Sequence, residues 1–118
     1  MMSYQHATLA SGLWQMLTLT EQLGNIGSEV TRALKRQADN PERFHSAVNR
    51  ALELLDLTIQ DPRWQHRLKE ITRARELLCD AAAGGQEYHT PLADLDRYFY
   101  HFAYAARVGK GNDTHPQR

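Results

Sequence analysis

The sequence predicts an all-α protein, an antiparallel up-down-up-down four-helix bundle with a short disordered C-terminal tail. Three places carry the same helix start, a short hydrogen-bonding side chain followed by proline: Asn40-Pro41, Asp61-Pro62 and Thr90-Pro91. Asn, Asp and Thr cap the free N–H groups of a first helical turn, and proline suits the first helical position because it lacks a donor. After each start, apolar residues recur every three or four positions, and no strand-like alternation competes with this pattern.

The predicted helices cover residues 9–38, 41–60, 62–83 and 91–108. The first carries apolar residues at helical spacing from Met16 to Leu34 and must end before the first Asn-Pro start. Gly84 and Gly109 follow the third and fourth helices. Glycine readily takes the left-handed conformation that closes a helix, so both residues are interpreted as helix ends.

Short links between the helices favour antiparallel neighbours, so residues 1–109 are predicted to form one bundle. Residues 110–118 offer no apolar anchor and are expected to form the disordered tail. A chain of 118 residues can bury a sufficient core without a disulfide or metal, and its one cysteine, Cys79, suits a reducing compartment. We expect a cytoplasmic protein with no membrane partner, since no segment resembles a membrane helix or a signal peptide.

The charges of the chain cancel, because 14 Lys and Arg residues face 14 Asp and Glu residues. No long-range field therefore attracts the protein to nucleic acid or membranes, and any basic site must be local. Residues 63–75 form such a region, with five basic residues and one acidic residue and hence a charge of +4. The candidate contacts for nucleic acid or an acidic partner are Arg63, His66, Arg67 and Arg73 there and Arg32, Lys35 and Arg36 in the first helix.

The alternative is a structural role, in which a solvated basic face pairs with acids of adjacent helices, such as Glu53, Asp56 and Asp61. Arg75 differs from its neighbours because it falls within the apolar stripe of the third helix. It is expected either to extend to solvent, to meet a carboxylate such as Asp56 or Asp96, or to face another subunit.

Two glycines, Gly24 and Gly27, lie on one narrow stripe of the first helix. Each interior glycine costs about 0.8–1 kcal/mol relative to alanine, so some contact must offset that cost. One interpretation is the close approach of a neighbouring helix of the bundle, and the other is a contact with a second subunit or a ligand.

The last helix holds half of the Phe, Trp and Tyr residues of the chain within positions 98–104. Arg97, Tyr100, His101 and Tyr104 fall on the side opposite its apolar stripe. Protein interfaces are enriched in Tyr and Arg, so this face is a candidate interface with another copy or with a protein partner. Plain surface packing and the stacking of nucleobases are the alternatives.

Patterns typical of enzymes are missing from the sequence, which has no phosphate loop, nucleophile elbow or Cys/His signature. A di-iron bundle needs two Glu-x-x-His motifs, and the chain offers one, from Glu42 to His45. We therefore expect no catalytic residue, no metal and no cofactor.

The layout of four helices with a basic stripe and a tyrosine-rich last helix resembles a known bacterial superfamily, and residues 21–29, 50–58 and 98–107 are similar to stretches of short bacterial proteins. The superfamily comprises the four-helix-bundle proteins of ribosomal-RNA intervening sequences and Avd, the accessory protein of diversity-generating retroelements. The resemblance implies a ring-like homo-oligomer, often a pentamer, without catalytic activity. For the Avd type it also implies nucleic-acid binding and partnership with a reverse transcriptase.

The sequence thus predicts a non-enzymatic, self-associating helical bundle that serves as an adaptor or accessory subunit. The alternative is a nucleic-acid-binding accessory protein of the Avd type that partners a reverse transcriptase.

Overall fold

The structure, a computed structural model, describes residues 12–111, which fold into four α-helices. They are α1 (Leu19–Arg36), α2 (Pro41–Ile59), α3 (Leu68–Ala82) and α4 (Leu92–Gly111), with short 3-10 helices, Trp14–Met16 and Pro62–Arg67, before α1 and α3. α1 packs against α2 and α4, and α3 packs against the same two helices. The described residues contain no strand, so the predicted all-α four-helix bundle is confirmed.

The start of α1 corrects the predicted helix over residues 9–38. Within the described residues the α-helix begins only at Leu19, and residues 9–11 lie outside them. Thr18 is extended and closes a capping box: its hydroxyl accepts from the Glu21 N–H at 3.1 Å, and the Glu21 carboxylate accepts from the Thr18 N–H at 2.9 Å. A capping box marks a helix start, so the helical spacing that includes Met16 was misleading, and Met16 is 77% exposed.

A buried polar cluster explains why the segment before α1 folds back onto the bundle. The Trp14 indole is buried and donates to the Thr58 hydroxyl at 3.1 Å. The Gln22 amide, also fully buried, donates to the Trp14 carbonyl at 2.8 Å and accepts from the Trp64 indole at 3.0 Å. Because buried polar groups are costly without partners, these bonds fix the positions of both tryptophans at this end of the bundle.

The proline-marked starts of the second and third helices are present, although the third differs in conformation. Asn40 caps α2 by accepting from the Arg43 N–H at 3.0 Å, with Pro41 as the first helical residue. The predicted helix 62–83 begins instead as a 3-10 helix, and α3 starts at Leu68. The Asp61 carboxylate accepts from the Arg63 N–H at 3.0 Å, which holds this tighter first part in place.

The predicted C-terminal end is confirmed for α3 but not for α4. α3 ends at Ala82, and Gly84 takes a positive φ of 113°, as expected for a glycine after a helix end. α4 runs through Gly109 to Gly111, so the predicted end at Gly109 is wrong. Glycine permits the left-handed turn without imposing it. The predicted tail, residues 110–118, lies outside the described residues from 112 onwards.

Gly24 and Gly27 lie where α1 and α4 are in close contact. A Cβ atom at Gly24 would lie 2.9 Å from the Ala103 Cα, and one at Gly27 would lie 2.7 Å from the Phe99 Cβ. Both glycines are buried in this contact. Their assignment to an interface with another subunit is therefore corrected: the stripe packs against a helix of the same chain.

Replacing Gly27 by Ala is expected to destabilise the protein, although alanine favours an isolated helix by about 0.8–1 kcal/mol. The new Cβ would overlap Phe99, whose fully buried ring has little room to shift. We expect the free energy of unfolding to fall by about 1–3 kcal/mol, as for other overpacked cores, measured by urea denaturation. Ser28→Ala, at an exposed position of the same helix, serves as the control and should leave stability nearly unchanged. A Gly27→Ala variant as stable as the parent would contradict the close packing of α1 and α4.

Candidate functional site

The outer face of α4 brings together the residues predicted as an interface. Tyr100 and Tyr104 are each 55% exposed, and their rings stack with centroids 6.5 Å apart and planes inclined by 26°. His101 is exposed beside Tyr100, and Arg97 is exposed and paired with Asp94. One helical turn beyond Tyr104, Val108 extends the same face and is 42% exposed. We call Arg97, Tyr100, His101, Tyr104 and Val108 the tyrosine face.

A small groove between α1 and α4 borders this face. Its volume is about 230 Å³, and its lining residues include Asn25, Ser28, Ala103 and Arg107. Gly24 also lines the groove, because α4 approaches α1 so closely at this glycine. The two helices therefore form one continuous surface, with small polar side chains on α1 beside the tyrosines of α4.

The arginines of residues 63–75 are largely engaged by neighbouring groups. Arg63 binds the Asp61 carboxylate at 2.7 Å and the Leu17 carbonyl at 2.9 Å. The hydrogen bond from the Arg63 side chain is the main cause that holds the pKa of Asp61 below its ordinary value. Arg67 pairs with Glu70 at 2.8 Å.

Two more arginines of this region are engaged in different ways. Arg73 approaches Glu76 at 3.6 Å and lies over the Tyr88 ring. Arg75 binds Asp56 with two hydrogen bonds, of 2.8 and 3.3 Å, which is one of the three outcomes foreseen for it. The predicted pairing of this segment with acids is therefore present, but Arg67 and Arg73 pair within their own part of the chain rather than with adjacent helices. His66 is exposed.

The basic residues of α1 have a different setting. Arg32, Lys35 and Arg36 line a groove of about 520 Å³ together with four residues of α2, Arg43, Ser46, Ala47 and Arg50. Arg43 and Arg50 were not among the basic contacts predicted from the sequence. The short link before the Asn40 cap could have indicated them. Because that link joins two antiparallel helices, the start of α2 must lie beside the end of α1.

The two basic regions lie at opposite ends of α1. Arg63 contacts Leu17, just before α1, whereas Arg32 and Arg36 belong to its last turns. At about 1.5 Å per residue the 18 residues of α1 separate these ends by about 27 Å. The structure therefore does not join the predicted contacts for nucleic acid into one continuous stripe.

A hydrogen bond between α3 and α4 fixes the remaining side of the bundle. The Tyr98 hydroxyl donates to the Glu70 carboxylate at 2.6 Å. That bond, helped by Arg67, keeps the pKa of Glu70 below its ordinary value, while burial and the adjacent carboxylate raise the pKa of Tyr98. Tyr98 and Glu70 also line an apolar pocket of about 280 Å³ with Leu77 and Leu95.

The described residues contain no group of three or more His, Cys, Asp or Glu side chains placed to hold a metal ion. None of the helices in residues 12–111 is long and apolar enough to cross a membrane. Comparisons with protein-family models, curated proteins and solved structures find no match, so the function must be argued from the residues themselves.

Replacing Tyr98 by Phe should raise the pKa of Glu70 towards the value of 4.5 that an unperturbed glutamate has. A carboxyl whose pKa is lowered by folding stabilises the fold above its unfolded pKa, and this contribution is lost as the pH falls through the folded pKa. The free energies of unfolding of parent and variant should therefore differ at neutral pH and converge in acid. Carboxyl NMR titration together with urea denaturation at several pH values measures both effects. An unchanged pKa of Glu70 in the variant would show that the hydroxyl does not control this group.

Proposed function

We propose that this chain is a non-enzymatic adaptor or accessory bundle that self-associates through the tyrosine face of α4. The observation that carries the proposal is the exposed stack of Tyr100 on Tyr104. Tyrosine combines a large apolar body with a polar tip and is enriched in the energetically dominant parts of protein interfaces. Covering both rings removes apolar area from water at low entropic cost, since tyrosine has few rotatable bonds.

A second copy of the chain fits this face by charge and by symmetry. Two copies carry no net charge to repel each other. Arg97 and Tyr104 lie equally far from the midpoint between Tyr100 and His101. Antiparallel pairing of α4 with its copy about that midpoint therefore sets Arg97 of one chain opposite the second copy's Tyr104. A guanidinium over a tyrosine ring is a favourable contact, and a twofold interface makes it twice.

The alternative from the sequence, a nucleic-acid-binding accessory protein that partners a reverse transcriptase, stays a prediction. The favoured proposal rests on the two exposed tyrosine rings, whose apolar area a partner would remove from water. The alternative would rest on Arg63, Arg67 and Arg73, each of which has a carboxylate neighbour in this fold. It would also use Arg32, Lys35 and Arg36, which lie near the other end of α1. We therefore propose a protein partner, and first of all another copy of the chain, as what covers α4.

Replacing Arg97 and Tyr104 together by Ala should weaken self-association by at least about tenfold in dissociation constant, because both arginine–tyrosine contacts of the twofold interface are lost. Sedimentation velocity over a range of micromolar concentrations measures this change. Both side chains are exposed, so thermal unfolding of the diluted monomer should stay nearly the same.

The matched control removes another arginine and tyrosine that contact each other, Arg73 and Tyr88 on the α3 side. This control should keep the mass of the parent assembly. A parent chain that sediments as a monomer throughout the micromolar range would contradict the proposal. Equal weakening of self-association in both double variants would contradict it too.

A further inference from the structure

The groove between the end of α1 and the start of α2 is strongly basic. Four arginines and one lysine line its volume of about 520 Å³, with Ser46 between the two arginines of α2. This basic groove lies in a protein of zero net charge and is separate from the tyrosine face of α4. Self-association through α4 therefore does not explain why these cations are gathered in one groove.

Two of these arginines bind a carboxylate of the same chain, and this pairing indicates the kind of ligand that the groove can bind. Glu29 is buried and receives hydrogen bonds from Arg32 at 2.9 Å and from Arg50 at 3.2 Å. Arginines of both helices thus converge on a single carboxylate. This is the charge-assisted geometry in which guanidinium groups bind carboxylates strongly.

The other cations of the groove are available at its surface. Neither Lys35 nor Arg43 forms an ion pair with any residue in the described part of the chain, and both are exposed. Arg36 approaches Asp39 at 3.6 Å. Since surface pairs at such distances contribute little, these three cations can exchange water or Asp39 for a stronger anion at small cost.

The chemistry of the groove favours an acidic protein segment over single-stranded nucleic acid. Two of its arginines already bind a carboxylate, that of Glu29. The exposed cations Lys35, Arg36 and Arg43 line the same groove and can bind further carboxylates in the same charge-assisted way. None of the groove's lining residues is aromatic, so bases would find no stacking platform there.

We infer that the basic groove binds an acidic segment of a partner protein through the glutamate or aspartate side chains of that segment. Lys35, Arg36 and Arg43 contact those carboxylates, while Arg32 and Arg50 stay bound to Glu29. The inference does not depend on self-association through α4, since the two surfaces share no residue. Together they would give the chain the two binding faces that an adaptor requires.

Fluorescence anisotropy with the full-length chain tests this inference. The probe is a labelled alanine-rich peptide with glutamates at helical spacing, and the reference is the same peptide with glutamines. At low salt the glutamate peptide should bind and the glutamine peptide should not, and binding should weaken as salt screens the charges. The Lys35→Glu and Arg43→Glu double variant should raise the dissociation constant by at least about tenfold.

The control variant Lys69→Glu with Arg73→Glu changes the net charge equally on α3 and should leave binding within about twofold. Three results would overturn the inference. They are no binding of the glutamate peptide at low salt, equal weakening in both double variants, and tighter groove-dependent binding of a thymidine oligonucleotide than of the peptide.

Discussion

The close contact of α1 with α4 at two glycines is the constraint on which the rest of the structure depends. Gly24 and Gly27 admit the backbone of Ala103 and the Cβ of Phe99 at distances that any side chain would prevent. This contact fixes the rotation of α4 about its axis, so that Phe99 enters the core. Tyr100 then necessarily faces outward, since adjacent helical residues differ by about 100° in direction. The hydrogen bond from Thr31 to Asp96, at 2.5 Å, holds the same orientation one turn further along.

The zero net charge of the chain is explained in part by ion pairs between nearby residues. Many cations of the chain are neutralised close to where they stand, as Arg63 is by Asp61 and Arg75 by Asp56. These pairs tie the helices and links together rather than forming a field that extends into solvent. The basic groove differs from these pairs, because buried Glu29 offsets only part of its charge. A net charge of zero thus coexists with a locally basic surface.

Local chemistry made much of this fold predictable from the sequence. The cap at Asn40 and the helix period of α2 act within a few residues, and so both were foreseen correctly. The start of α1 was missed because the capping box from Thr18 to Glu21 competes with a longer apolar repeat that includes Met16. The basic groove was found only in part, since Arg43 joins Lys35 through the tertiary pairing of two helices. The exposure of Tyr100 and Tyr104 was foreseen, but not their stacking, which depends on the rotamers that both rings take.

The central claim is that copies of the chain meet through the tyrosine face of α4. Isotope-filtered NMR of a mixture of labelled and unlabelled chains measures contacts between copies directly, and it separates them from contacts within one chain. Our account predicts cross-peaks between copies from the rings of Tyr100 and Tyr104. Contacts between copies that arise only from α2 or α3, or none at concentrations where the chain is assembled, would contradict it.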